Sequence, residues 1–341
     1  MAVPRDVPQS SDAENQSSEA DSTANTSRAA ALTLGRKFGA YEILRKLGEG
    51  GMGAVYLARH SMLDKLVALK VLPPHQSSDP EAILRFQREM RAVGQLAHPN
   101  VVGALDAGNV DGLPYLVMEY VEGVDLAKFV QRRGPLSPRD ACSLIRQAAL
   151  GLAAAHERGL VHRDIKPSNL LVTKHGQLKI LDLGLAKLLL EDSAQFQLTH
   201  SGHIVGTPDY MAPEQWDADS EVDARTDLYA LGCTLYFALT GKSPFRNQRR
   251  SSLRQIMNAH LNETPPSLEE LRPDVPANMC KLCDRLMAKS PEERVGSARE
   301  LASQLQQIER LTLQLPTGFE SPPGVDVAAK VGASNDAAGD A

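Results

Sequence analysis

Apolar residues alternate with polar ones through the first third of the chain. "YEILRKLG" (41–48), "GAVYLARH" (53–60) and "LVALKVL" (66–72) carry the two-residue period of half-buried strands, and "LPYLVMEYV" (113–121) adds another. One helical stretch interrupts them. Asp79 is placed to cap it, Pro80 fits the first turn, and Phe86, Met90, Val93 and Leu96 keep a helical period until Pro99. From Ser137 the pattern turns helical. Ser137, Pro138 and Asp140 form a cap, and Leu144, Ile145, Ala148, Leu152 and Ala155 share one face. "DARTDLYALGCTLYFALTG" (223–241) is apolar almost all round and stops at a glycine, as a helix buried inside a helical body would. The expected class is α+β: a small antiparallel-sheet lobe with one main helix, about 38–121, then a larger helical lobe, about 122–312. Ligands usually bind in the cleft between two such lobes.

The flanks differ in kind. Residues 1–37 and 313–341 are polar and small, too poor in large apolar groups to offset their ordering entropy, so both are expected to be disordered tails. "MAVPRDVPQSSDAENQ" has no apolar core of a secretory signal, which points to the cytoplasm. The net charge of −5 gives no basis for nucleic-acid binding. Leu228 to Gly241, fourteen residues without a charge, is too short to span a bilayer. Four cysteines in 341 residues do not make a disulfide framework. Cys280 and Cys283 fall in a helical pattern, where packing is the expected role.

Candidate chemistry gathers at three places. Gly48, Gly50 and Gly53 have the G-x-G-x-x-G spacing that lets main-chain N–H groups approach phosphate. A plain glycine-rich hairpin would look the same. A dinucleotide site needs these glycines to open a helix, whereas Val55, Tyr56 and Leu57 favour a strand, hence a hairpin lid over a nucleotide. Lys70 ends "VALK". It is either a surface lysine resting its stem on the sheet or an amine held towards phosphate by Glu89 on the intervening helix. In "HRDIKPSNLL" (162–171), Asp164 can orient and deprotonate a hydroxyl, and Lys166 can neutralise a moving phosphoryl group. Asn169 and Asp182 can offer oxygens to Mg²⁺. The alternative is a polar loop satisfying its own backbone. Two short strands round His175-Gly176 should bring Asn169 and Asp182 together at one edge of the cleft.

In this order the motifs resemble those of a eukaryotic-type protein kinase domain over about residues 41–310. They are Gly48 to Val55, Lys70, Glu89, His162-Arg163-Asp164, Asn169, Asp182-Leu183-Gly184, Ala212-Pro213-Glu214, Asp227, Gly232 and Arg294. The resemblance implies a two-lobed fold that uses ATP and Mg²⁺ and acts on protein substrates. It implies catalytic roles for Asp164, Lys166, Lys70, Glu89 and Thr207. It implies an ATP cleft formed by Leu47, Gly48, Glu49, Gly50, Gly51, Met52, Gly53, Val55, Ala68, Lys70, Met118, Glu119, Val121, Asp125 and Leu171, with Met118 leaving a modest pocket behind the adenine. Glu214 should pair with Arg294, and Asp227 should brace the His162–Asp164 turn.

Lys166 and Thr207 look like the serine/threonine branch, and "GTPDYMAPEQW" looks like bacterial members. Many of those carry a membrane segment and a sensor domain after the kinase, so this chain reads as a soluble form or a fragment. Leu183 replaces the family's usual phenylalanine, as is common in that branch. Ser168 stands where relatives that select basic substrates often have glutamate. Arg163 implies activation by phosphate on the segment after Gly184, with Thr199 and Ser201 as candidates, Ser193 as an ordinary hydroxyl and a transient homodimer for reaction in trans. The competing reading is a pseudokinase, an ATP-binding or docking module; such proteins usually lose Lys70, Asp164 or Asp182, and all three are here. A small-molecule kinase of the same fold would lack the Ala212–Glu214 segment.

Overall fold

A computed structural model of the chain describes residues 35–50, 53–71, 90, 93–183, 208–217, 219–246 and 252–312. The expected helix around 79–98 lies largely outside these. Met90, Val93 and Gly94 are helical, while Leu96, buried as its period suggests, follows the end of the helix. Glu89, Gly51, Met52, Thr199, Ser201 and Thr207 also lie outside the described residues, as do the two tails beyond 34 and 312.

The first lobe is a six-stranded antiparallel sheet. It contains β1 (Lys37–Phe38), β2 (Tyr41–Gly50), β3 (Gly53–His60), β4 (Leu66–Val71), β5 (Ala104–Val110) and β6 (Leu113–Glu119), in the order β1-β2-β3-β4-β6-β5. Register shifts in β2, between Ile43 and Arg45 and between Lys46 and Gly48, are the local irregularities that bend and twist a strand. One face of the sheet packs Phe38, Ile43, Leu69 and Val117 together. The other gathers Ala68, Met90, Val102, Leu116 and Met118. Strand β5 was not signalled by alternation: "ALDAGNV" is mostly exposed, as an edge strand can be.

In the second lobe, β7 (Gly123–Asp125), β8 (Leu170–Thr173) and β9 (Leu178–Ile180) form a small sheet. The principal helices are α1 (Leu126–Arg133), α2 (Pro138–His156), α3 (Ala224–Thr240), α4 (Leu253–Asn262), α5 (Ala277–Leu286) and α6 (Ala298–Thr312). Helix α2 starts where its cap predicts, with Ser137 Oγ accepting from the Asp140 N–H at 3.1 Å. Helix α3 is buried almost throughout and ends on Gly241 in the left-handed conformation, φ 72°. Gly232 within α3 lets α5 approach: a Cβ there would sit 2.6 Å from Leu286 Cβ. All four cysteines are free and buried, and Cys280 and Cys283 pack in the core of this lobe. No described helix is long and apolar enough to cross a membrane.

Candidate active site

The loop between α2 and β8 carries most of the polar groups. Asp227, fully buried at the start of α3, is the reason the loop has its shape. Its Oδ2 accepts from the His162 N–H at 2.9 Å and its Oδ1 from the Arg163 N–H at 2.8 Å, while His156 Nε2 lies 2.8 Å from Oδ2. Burial pushes the Asp227 carboxyl up, but the bond and charge of His156, with the His162 contacts, hold it below the ordinary aspartate range. Arg163 has φ 65°, a left-handed conformation that is costly for a residue with a long side chain. Two consecutive amides bound to one carboxylate offset that cost. The expected bracing role of Asp227 therefore has a direct geometry, and His156 is a participant that the sequence did not signal.

Within the loop Asp164 is the centre of convergence. Lys166 Nζ lies 3.0 and 2.8 Å from its two carboxylate oxygens. Asn169 Nδ2 donates to its main-chain carbonyl at 2.8 Å and to Oδ2 at 3.0 Å. A self-satisfied surface loop would not concentrate an amine and an amide on one acid that is itself only 15% exposed. Strands β8 and β9 pair as expected from Leu170↔Ile180 to Val172↔Leu178. The Leu181 N–H then closes the hairpin on the Asn169 carbonyl at 2.9 Å. Asp182 follows, with φ 54°, a conformation that aspartate tolerates better than most residues. His162 Nε2 contacts the Leu181 carbonyl at 2.8 Å and so ties the loop to that turn.

Lys70 is not a surface lysine. It is 2% exposed, and its Nζ lies 2.9 Å from Asp182 Oδ1. An amine from the sheet lobe thus meets the acid of the helical lobe across the cleft. Asn169 and Asp182 provide two hard oxygen donors, and among the described residues no three His, Cys, Asp or Glu side chains converge as a metal cage. That donor set suits Mg²⁺, which takes one or two protein oxygens and keeps its remaining positions for phosphate and water.

The expected nucleotide cleft is partly assembled. Glycines 50 and 53 face each other in the β2–β3 hairpin, and Gly53 has φ 103°, which a side chain would disfavour. Gly48 pairs with Val55, so these glycines lead into a strand, as the lid reading requires. Ala68 lies opposite Met118, and Val55 and Val121 pack on the same cluster. Leu171 pairs with Asp125 across the small sheet. Leu47 is partly exposed at 38%, and Glu49 pairs with Lys46. Two acids have further duties. Asp125 caps α1 by accepting from the Lys128 N–H at 2.9 Å, and its second oxygen pairs with Lys128 Nζ at 2.8 Å. Glu119 turns its carboxylate to the Gly103 N–H and Lys179.

Glu214 and Arg294, eighty positions apart, form a two-pronged buried pair, with Nη1–Oε1 and Nη2–Oε2 both 2.7 Å. Thr226 Oγ1 also donates to Glu214 at 2.7 Å. Burial pushes the Glu214 carboxyl up, but the Arg294 guanidinium holds it below the usual glutamate range. Gln215, unmarked in the sequence, donates from Nε2 to the Arg163 carbonyl at 2.9 Å and joins this segment to the His162–Asn169 loop. Leu183 is 3% exposed in the cluster that includes Val93 and Leu96.

The profile of the protein kinase domain family matches residues 41–307. The serine/threonine-protein kinase PknE of Mycobacterium tuberculosis is 40% identical over 269 residues, 79% of this chain and 46% of that one. Pkn1 of Myxococcus xanthus, also named a serine/threonine-protein kinase, is 41% identical over 277 residues, 80% of this chain and 39% of its own. The chain thus spans less than half the length of these relatives. The crystal structure of the Mycobacterium tuberculosis PknI kinase domain superposes with a TM-score of 0.62 at 32% identity, covering 81% of this chain and 99% of that one.

Proposed function

The chain belongs to the protein kinase domain family, with bacterial serine/threonine kinases among its relatives, and from that membership we propose that it transfers the γ-phosphoryl group of ATP to serine and threonine hydroxyls of proteins. The observation that carries the reading is the convergence of Lys166 and Asn169 on Asp164 beside the Lys70–Asp182 contact. Asp164 orients the substrate hydroxyl and takes its proton as the oxygen bonds to the γ-phosphorus. The bond from that phosphorus to the bridging oxygen breaks, and ADP leaves with the electron pair. Lys166 offsets charge on the group in flight, and Lys70 exchanges Asp182 for phosphate oxygens, with Glu89 the partner that the family resemblance gives that lysine. Asn169 and Asp182 would hold Mg²⁺, which would supply neutralisation of the phosphate charge. Thr207, by the family resemblance, is the residue that would favour serine/threonine acceptors. A pseudokinase is disfavoured because Lys70, Asp164 and Asp182 are all present and in contact networks. We place the activity in the cytoplasm.

Asp182→Asn is the test of this arrangement. The variant should lose both turnover and the Mg²⁺-dependent part of ATP affinity in titration calorimetry, by about tenfold or more. Equal wild-type ATP affinity with and without Mg²⁺ would remove the role given to Asp182.

Regulation follows from Arg163. Phosphate on Thr199 or Ser201 would bring about two negative charges and three acceptor oxygens towards that guanidinium. Transfer in trans by a second copy in a transient homodimer is the expected route. Peptide mass spectrometry after expression in a host without such kinases should find phosphate on wild type and none on Asp164→Asn. Equal phosphate on both would contradict self-modification.

A further inference from the structure

Lys179 on β9 is the least explained charge in the cleft region. No motif marks it, yet its side chain is only 13% exposed. It meets Glu119, the last residue of β6, with Nζ 2.6 Å from Oε1. The same oxygen accepts from the Gly103 N–H at 3.0 Å, and the Glu119 N–H donates back to the Gly103 carbonyl at 3.0 Å. One carboxylate oxygen thus joins the end of the small lobe's strand, the residue leading into β5, and the large lobe's hairpin. Beside it, β9 is already stitched to the segment before β5: the Ile180 N–H donates to the Asn100 carbonyl and the Val102 N–H to the Ile180 carbonyl, both at 2.9 Å. Burial, and then the charge of Lys179, push the pKa of His98 down, so that neighbour stays neutral and adds no competing cation.

The position of Lys179 matters more than the pair itself. It is paired across the hairpin with Leu171, so the two side chains share a face, and Leu171 Cγ reaches within 2.9 Å of where a Cβ on Gly123 would stand. Lys179 itself reaches Glu119, where the chain connecting the lobes begins, so that face looks towards the connection. Asp182 lies three residues beyond Lys179, just past the end of β9. The two ends of a nucleotide would be held by the two ends of this stretch: adenine at the connection near Met118 and Glu119, phosphates near Asp182 and Lys70.

We propose that Lys179 and Glu119 are positioning residues, a clasp that fixes the separation between the adenine-holding connection and Asp182 and thereby sets affinity for a nucleotide that spans both. The inference rests on the ATP-binding reading above and extends it to residues outside the reacting groups. An intact clasp means that the spacing is prepared before the nucleotide arrives, so binding does not bear the cost of setting it.

The test compares a ligand that spans the clasp with one that does not. With the full chain, titration calorimetry should show Mg²⁺·ATP binding to Lys179→Met weakened about fivefold and adenosine binding changed by less than about twofold. Lys179→Arg, which keeps the charge, should stay near wild type. Glu119→Gln keeps an oxygen for the Gly103 N–H but loses the ion pair, and should show the same selective loss. Adding Lys179→Met to it should cost nothing further. Equal weakening of both ligands, or unchanged Mg²⁺·ATP affinity, would overturn the clasp. If melting shows that Lys179→Met does not fold, the ATP-to-adenosine comparison in Glu119→Gln decides. A wild-type chain that bound neither ligand would overturn the proposed function, and the clasp with it.

Discussion

Asp164→Asn should lose phosphoryl transfer by about three orders of magnitude, the scale of a positioned general base at the reacting atom, while Mg²⁺·ATP affinity stays within about threefold. The geometry makes the loss specific. Both carboxylate oxygens of Asp164 face donors, Lys166 Nζ on each and Asn169 Nδ2 on one. An amide in that place keeps one acceptor but turns an –NH₂ towards Lys166 or Asn169, and it cannot take a proton from a hydroxyl. The fold should be unaffected, because the loop is held by Asp227 through the main chain of His162 and Arg163 rather than through Asp164. Initial rates with labelled ATP, alongside calorimetric ATP binding, check both halves. Turnover above about a tenth of wild type would remove the role of base from Asp164.

Arg294→Met should produce the largest loss of stability of any single change considered, about 3–5 kcal/mol, because it leaves a buried carboxylate without its partner. Side chains of Arg294 and Glu214 are 0% and 6% exposed, so solvent cannot take over the pairing. Arg294 also donates to the carbonyls of Arg225, Ala288 and Lys289, which would be left short of donors. For a domain of this size the expected fall in melting temperature is roughly 10 °C. The pH dependence follows from the depressed Glu214 pKa. Its stabilisation is fully present above the unfolded glutamate value and is lost as pH falls through the lower folded value. The acid limb of the stability curve should therefore flatten in Arg294→Met. A fall below about 3 °C in thermal melts would mean that the pair contributes little.

The parts legible in the sequence were those with short-range signatures. Alternation marked β2, β3, β4 and β6. A cap and one apolar face marked α2, and Gly241 marked the end of α3. The hairpin between Asn169 and Asp182 followed from two short apolar runs round a glycine. Long-range partnerships were legible only through the family resemblance: Glu214 with Arg294 and Asp227 with the His162–Asp164 turn have the geometry it implied. Lys179 with Glu119, Gln215 with the Arg163 carbonyl, and His156 with Asp227 leave no mark in the sequence, because each depends on which elements pack together. Strand β5 was missed for a local reason. Its exposed edge position removes the apolar alternation on which strand recognition depends. Asp125 shows a different limit: its type and place suit a nucleotide contact, yet its carboxylate already caps α1 and pairs with Lys128.

The central claim, phosphoryl transfer to serine or threonine of a protein, is tested most directly by incubating the purified chain with γ-labelled ATP, Mg²⁺ and a generic basic protein, then identifying the labelled amino acids. The account predicts label on phosphoserine and phosphothreonine, dependent on Mg²⁺ and absent with Asp164→Asn. Label that is absent from wild type, found only on tyrosine, or equally present with Asp164→Asn would contradict it.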